Sequence, residues 1–368
     1  MPQRCSLCIL PANLPSADLD GDGKCKYCRE AETGDLAAGH LPDTQTKQRF
    51  EKIIAGLRGK GKYDCLVPLS GGKESSYILY VLVKEFDLSP LAFNVNNGFQ
   101  HIDAVRNIEH LVGQLGVDLV IYRPNQQSLR ALMRAFLSEA GEFCTPCNML
   151  ITATSFRLAR QNRIKAIMSG NAMGTNPGLE GVSPALYYDR RYYLNMANGL
   201  LARKDRDYYM NPPYVRTAIR RLLGTEAQVI NVLDYLRPTL QEIHDRLESI
   251  GWKRPAGEIQ HGDCLLNAVK DHLMCRRWGC SELTAMYSVL VRNGEMSREE
   301  ALEKAAAEEH TTAPSVLPEF LKAISMTESE FSEASKKDFR DIPNMRKSAV
   351  FRLAKNVIQK VERLRGRR

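Results

Sequence analysis

No stretch of this chain approaches the ~20 consecutive apolar residues that cross a bilayer, so no transmembrane segment is expected. A hydrophobic leader is missing as well: Arg4 and Cys5 come at once and prolines follow, which predicts a cytoplasmic protein. The main body lacks a charge excess. The 368 residues carry a net +8, but nine basic residues and one acid, Glu362, lie between positions 345 and 368, so the tail holds the whole surplus. A neutral body argues against a broad nucleic-acid footprint; whatever the basic charge binds, it binds at the tail. The Walker pattern Gly-x-x-x-x-Gly-Lys-Ser/Thr is also absent. Cysteine is not scarce. Ten of them in a cytoplasmic chain point to metal ligands or reactive thiols before disulfides.

The chain is organised around residues 63–77. Cys65 to Leu69 is a short apolar run that reads as a buried strand. It stops at Ser70-Gly71-Gly72, and a helical pattern follows through Tyr77, Ile78, Tyr80, Val81 and Val83. Strand, glycine turn and helix start form an anion trap, because N–H groups of the first helical turn have no partner in the helix and its dipole favours negative charge. Lys73 adds a cation, and Ser70, Ser75 and Ser76 add hydroxyls. The alternative is an ordinary glycine turn. Ser-Gly-Gly-x-(Asp/Glu)-Ser after a strand resembles the pyrophosphate loop of ATP pyrophosphatases, which split ATP and leave AMP on a carbonyl oxygen.

Two Cys-x-x-Cys knuckles, Cys5/Cys8 and Cys25/Cys28, stand 16 residues apart. That spacing fits a tetrathiolate zinc site, and an iron–sulfur cluster could use the same ligands. A third pair, Cys144 and Cys147, needs a ligand from elsewhere. Cys264 is the first choice, with Cys275 and Cys280 behind it. Three thiolates suit a [4Fe–4S] cluster with an open iron or another open metal site, while an inert or disulfide-forming pair is the bland reading. Cys65, inside the apolar strand, reads as core.

Beyond the loop, strands (88–95, 117–122, 166–169, 229–233) alternate with helices (102–115, 129–140, 150–160, 239–247), which predicts an α/β fold with a parallel sheet and helices on both faces. Ligands bind such sheets at the carboxyl ends of their strands. Ser70-Gly71, Asn96-Asn97-Gly98 and Gly170-Asn171 all fall there and are the expected nucleotide contacts. Four parts are expected: a tetracysteine module and linker (1–45), the nucleotide domain (46–260), a helical C-terminal region (261–345), and a basic amphipathic tail (346–368). A Tyr/Arg-rich insertion at 178–214 suits a sugar phosphate or nucleotide, or equally a packed surface segment.

These features occur in one order with Asn97-Gly98-Phe99-Gln100, Glu142-Phe-Cys-Thr-Pro-Cys147, Gly251-Trp-Lys253, His261-Gly-Asp-Cys264 and Gly279-Cys-Ser-Glu282. Together they resemble the N-acetyl sugar amidotransferase family of the PP-loop ATP pyrophosphatase (HUP-like) superfamily. The resemblance implies ATP and Mg2+ as well as zinc. It also implies adenylation of an acetamido carbonyl on a nucleotide-linked sugar, and ammonia from a separate glutaminase partner. Lys73 and the glycine N–H groups would hold pyrophosphate and Glu74 would position magnesium. Cys144, Cys147 and Cys264 would lie beside the adenylate, with Asp263 or His261 orienting the nucleophile. Two positions depart from the superfamily pattern: Glu74 replaces the usual aspartate, and Asn96 the aspartate of Asp-Asn-Gly. The three cysteines also resemble those of tRNA thiolases, and the rival reading this gives is an iron–sulfur-dependent sulfurtransferase acting on tRNA or a small molecule. A third reading is a non-catalytic zinc-containing interaction protein with a dead loop.

Overall fold

A computed structural model describes residues 3–33 (except 15), 44–170, 190–201 (except 198), 209, 216, 219–220, 223–254 and 263–338 (except 310). Five strands form one parallel sheet: β1 (Cys65–Pro68), β2 (Pro90–Val95), β3 (Asp118–Tyr122), β4 (Ala166–Ser169) and β5 (Gln228–Asn231). Their spatial order is β3-β2-β1-β4-β5. The direction of travel therefore reverses beside β1, and the crevice beyond its carboxyl end is where such sheets take ligands.

Successive residues of a strand face opposite sides, and β1 shows the division. Val67 faces a core with α2 (Thr44–Ala55), α3 (Lys73–Lys84) and α4 (Ile102–Leu115), through Phe50, Leu79, Ile108 and Leu111. Leu66 faces a second core with α6 (Thr145–Gln161), through Ala159 and neighbouring Ile164. The expected parallel sheet covered on both faces is present.

Two of the boundaries that differ from the sequence reading have a physical reason. The apolar run 229–233 becomes strand only to Asn231 and then turns into α8 (Val232–Leu236), since periodicity alone cannot separate a buried strand from a buried helix start. Helix α6 begins at Thr145 rather than at residue 150. Pro146 fits its first turn, where the missing N–H costs nothing, and the Glu142 carboxylate accepts the Thr145 N–H at 3.0 Å. Cys144 and Cys147 therefore lie at a helix start, not in a loop between helices.

A third core lies beyond the carboxyl ends of the strands. There α5 (Gln126–Ala140), α7 (Arg190–Met196) and α10 (Leu266–Trp278) meet α13 (Leu317–Ala323) and α14 (Glu328–Ala334), through Phe99, Phe136, Phe143, Tyr193, Leu273 and Phe320. Helix α9 (Leu240–Glu248) covers α3, and α1 (Lys26–Glu32) lies in the N-terminal knuckle. The knuckle packs Leu10, Leu14 and Tyr27 on Met274 and Trp278 of α10. It also inserts Ile9 between α11 (Glu282–Arg292) and α12 (Arg298–Glu308). Among the described residues no helix is long and apolar enough to span a membrane.

Candidate functional site

The turn after β1 is held by its own hydroxyls. Ser75 Oγ accepts the Ser70 N–H at 3.1 Å and lies 3.0 Å from Ser70 Oγ. Ser70 Oγ in turn accepts the Gly72 N–H at 3.3 Å. Gly71 has φ +84°, and a Cβ there would stand 2.2 Å from the Ala104 carbonyl oxygen, so only glycine fits. Helix α3 starts at Lys73, with Gly72 as its cap. Lys73 Nζ and Glu74 Oε1 pair at 2.8 Å, with the Glu74 side chain half open to solvent. A Mg2+–nucleotide would meet one cation and one hard oxygen donor here. Ser76 is different: it is fully buried, and its hydroxyl has no partner among the described residues.

A second strand end meets this turn. A Cβ on Gly170, after β4, would stand 3.5 Å from Glu74 Cβ and 3.6 Å from the Ser75 nitrogen. Asn171 and His261 lie outside the described residues, as do the tail 346–368, most of the linker and most of the 178–214 segment. Within that segment Tyr193 and Tyr209 are buried in the third core, so these two take the packed reading. After β2, Asn96 Oδ1 accepts the Gly98 N–H at 2.9 Å in a local turn. Gly98, with φ +85°, sits so close to Gln126 Oε1 that a Cβ would be 2.6 Å away.

Residues 263–265 lie alongside 99–101. Gln100 and Cys264 form an antiparallel bridge, the Leu265 N–H donates to Phe99 O at 2.9 Å, and the His101 N–H donates to Asp263 O at 3.2 Å. This places the Asp263 side chain against the glycine turn, 3.5 Å from where a Gly72 Cβ would be. Asn267 Nδ2 donates to Asp263 Oδ1 at 2.9 Å and fixes the carboxylate.

Cys264 faces the cysteine pair. Asn97 Nδ2 donates to Cys264 Sγ at 3.5 Å and reaches Cys147 Sγ at 3.9 Å, while its Oδ1 accepts the Phe99 N–H at 2.8 Å. Burial pushes the Cys147 thiol up to about 12, and raises Cys144 and Cys264 as well. Lys270, one turn into α10, is the nearby cation: it opposes the upward shift of Cys144 and Cys264. Burial works against its own charge, but Glu282 at 2.5 Å holds the ammonium above its usual range. The three sulfurs are not all within 4.8 Å of one another, as the four N-terminal ones are. Three thiolates could hold a [4Fe–4S] cluster with one open iron. Cys275 and Cys280 join no such group among the described residues; Cys280 is buried under the knuckle.

The N-terminal four have single-ion geometry. Cys5 and Cys28 sulfurs are 3.8 Å apart, and those of Cys8 and Cys25 3.6 Å. Two thiolates about 2.3 Å from a shared tetrahedral centre would be about 3.8 Å apart. The Cys8 and Cys25 N–H groups donate to Cys5 Sγ at 3.5 and 3.2 Å. The hydrogen bond with Cys25 brings Cys8 down to about 7, whereas Cys28 is pushed up by its bond to Cys25. Four buried sulfurs within 4.8 Å of one another fit a dication that ionises all of them. Its sulfurs are buried and the knuckle packs on α10, α11 and α12, so its fit is to a structural metal.

Three participants were not legible as such in the sequence. Asn97 gave a strand-end signal but no hint that its amide serves sulfur. Lys270 and Glu282 gave none, being ordinary charges on helices.

Residues 260–360 match the family model described as the LPS biosynthesis protein WbpG-like, C-terminal domain. That stretch contains Asp263, Cys264, Lys270 and Glu282. The chain is 23% identical over 302 residues to the uncharacterized protein MJ1599 of Methanocaldococcus jannaschii, covering 81% of this chain and 91% of that protein. Among solved structures it is similar to the U34-tRNA thiolase NcsA from Methanococcus maripaludis with its [4Fe-4S] cluster. Identity there is 15%, with 86% of this chain and 98% of that one covered, at a TM-score of 0.33.

Proposed function

We propose that this protein is an ATP-dependent amidotransferase of surface-polysaccharide biosynthesis. It adenylates the acetamido carbonyl of a nucleotide-linked N-acetyl sugar and replaces the oxygen with nitrogen. One observation carries the reading: Asp263 lies against the glycine turn, so a helix start suited to phosphate and a fixed carboxylate are neighbours. The match of residues 260–360 to a lipopolysaccharide biosynthesis family supports the substrate class.

In this reading the acetamido oxygen attacks the α-phosphorus of ATP, the bond to the β-phosphate oxygen breaks, and pyrophosphate leaves with the electron pair. The helix start at Gly72, with Ser70, Ser75 and Lys73, offsets its charge, and Glu74 would hold magnesium. Ammonia from a separate glutaminase adds to the imidate carbon. AMP departs with the oxygen, and the surplus protons pass to solvent. Asp263 orients the incoming amine. Cys5, Cys8, Cys25 and Cys28 would hold zinc as a structural ion.

The convergence of Cys147 and Cys264 on Asn97, with Cys144 packed against the same core, favours a second reading, a sulfurtransferase on RNA or a small molecule. When bound there, a [4Fe–4S] cluster would supply an open iron for sulfur chemistry. Both readings share the adenylation, so one experiment separates them. Anaerobically purified protein is given Mg2+–ATP, ammonia or sulfide, and a nucleotide-linked N-acetyl sugar, and products are weighed by mass spectrometry alongside metal and sulfide content. Oxygen-for-nitrogen exchange with zinc alone supports the amidotransferase. Oxygen-for-sulfur exchange with iron present supports the thiolase. Pyrophosphate release that persists in Lys73→Ala overturns both.

A further inference from the structure

The segment Gly251-Trp252-Lys253 has no part in the proposed chemistry, yet it is stitched to the glycine turn. The Trp252 indole N–H donates to the Gly71 carbonyl at 3.1 Å, from a side chain only 3% exposed. Its own placement is over-determined. Asn107 of α4 donates to Lys253 O at 2.7 Å and accepts the Lys253 N–H at 3.0 Å. His110 Nε2 lies 2.7 Å from Ile250 O. The His244 ring stacks on the indole at 6.3 Å. Gly251, with φ +83°, lets the chain pass within 2.6 Å of His110 where a Cβ would be.

We infer that Trp252 is a positioning residue for the phosphate turn, fixing which way the Gly71–Gly72 peptide faces. The argument starts from the glycines. Gly71 must lack a Cβ because of Ala104, but two successive glycines leave the peptide between them free to rotate as a unit. A trans peptide points its C=O and N–H in opposite directions. Turned the wrong way, the Gly71 carbonyl would present lone pairs to an incoming phosphate and withdraw the Gly72 N–H. The buried indole holds that carbonyl from behind, so the N–H stays on the Ser70 Oγ side, where the anion is expected. The turn is thereby set before the ligand arrives, and no binding energy goes into ordering it.

The inference rests on the ATP reading, and the test keeps the two apart. Full-length protein is titrated calorimetrically with inorganic pyrophosphate and, separately, with AMP, for the wild type, Trp252→Phe and Asn107→Ala. Trp252→Phe keeps a ring in the cavity and removes only the donor. It is expected to weaken pyrophosphate binding about tenfold, the scale of one hydrogen bond to a buried carbonyl, while AMP binding changes less than twofold. Asn107→Ala, which loosens Lys253 but leaves the indole, should show the same selectivity to a smaller extent and serves if Trp252→Phe does not fold. A parallel loss for both ligands would mean a merely structural tryptophan and overturn the inference. So would unchanged pyrophosphate binding. A wild type that binds neither ligand would overturn the ATP reading itself.

Discussion

The Asn97 carboxamide is oriented from one end and used at the other: the Phe99 N–H holds its oxygen at 2.8 Å, which turns its nitrogen onto Cys264 Sγ at 3.5 Å. A donor to sulfur favours the thiolate over the thiol. Asn97→Asp keeps the shape and the Phe99 contact but exchanges that donor for a carboxylate. Metal or cluster affinity at Cys144, Cys147 and Cys264 is expected to fall about 10- to 100-fold, the usual cost of losing an outer-shell partner. Metal analysis after chelator challenge reads this directly. Retention equal to wild type would separate Asn97 from that site.

Lys270 and Glu282 should behave as a buried pair. Their side chains are 23% and 24% exposed and 2.5 Å apart. Lys270→Met alone takes the cation away from the Glu282 carboxylate, and urea unfolding is expected to show a loss of about 1–2 kcal/mol, less than for a fully buried pair. Lys270→Met combined with Glu282→Leu should recover most of that loss. Additive losses in the double variant would mean that the two charges do not depend on each other.

Removal of the N-terminal metal should undo a docking surface. Arg298 donates to the Cys5 and Cys8 carbonyls at 3.1 Å each, and Ile9 is fully buried among Leu283, Tyr287 and Ala301. With four like thiolates and no ion, the knuckle should open. Zinc-selective chelation, or Cys25→Ala, is expected to make residues 3–33 the first site of limited proteolysis and to lower the melting temperature by several degrees, as a loss of about 1–2 kcal/mol would. Protection unchanged after complete metal removal would contradict this.

Asp271 gives a pH dependence of defined sign. Burial pushes its carboxyl up from 3.8 to about 7, with Lys270 opposing the shift. The unfolded chain therefore ionises first as pH rises. Stability supplied by the neutral carboxyl is fully present below 3.8 and lost as pH climbs through about 7. Asp271→Asn should flatten urea-unfolding stability between pH 4 and pH 7 and exceed the wild type at pH 8. A variant with the same slope as wild type would assign the dependence to other groups.

The sheet was legible in the sequence because β1, β2 and β4 are short apolar runs ended by Ser-Gly, Asn-Asn-Gly and Ser-Gly, a signal that is local in the chain. The knuckles were legible for the same reason. What was not legible depends on long-range contact. Gln100 and Cys264 are bridged across more than half of the numbering between them and the C-terminus, and nothing at either position announces its partner. The cysteine pattern nominated Cys264 beside Cys144 and Cys147, but not the amide that faces Cys147 and Cys264. The start of α6 lies five residues before the expected one, and Pro146 sits in its first turn, where proline favours a helix start. For Ser76, a loop motif counts hydroxyls without saying which of them turn inward.

The knuckle's reliance on distant helices bears on how the chain is made. Cys8 and its Arg298 contact are 290 positions apart. A ribosome adding about 5–20 residues per second would leave the first thirty residues without those partners for roughly 15–60 s. During that interval four thiols and the face around Ile9, Leu10 and Leu14 are open to oxidation and to other nascent chains. Early capture of a metal ion would close the thiols before their permanent neighbours are synthesised, so yield in the cell should depend on zinc supply during translation more than on its level afterwards.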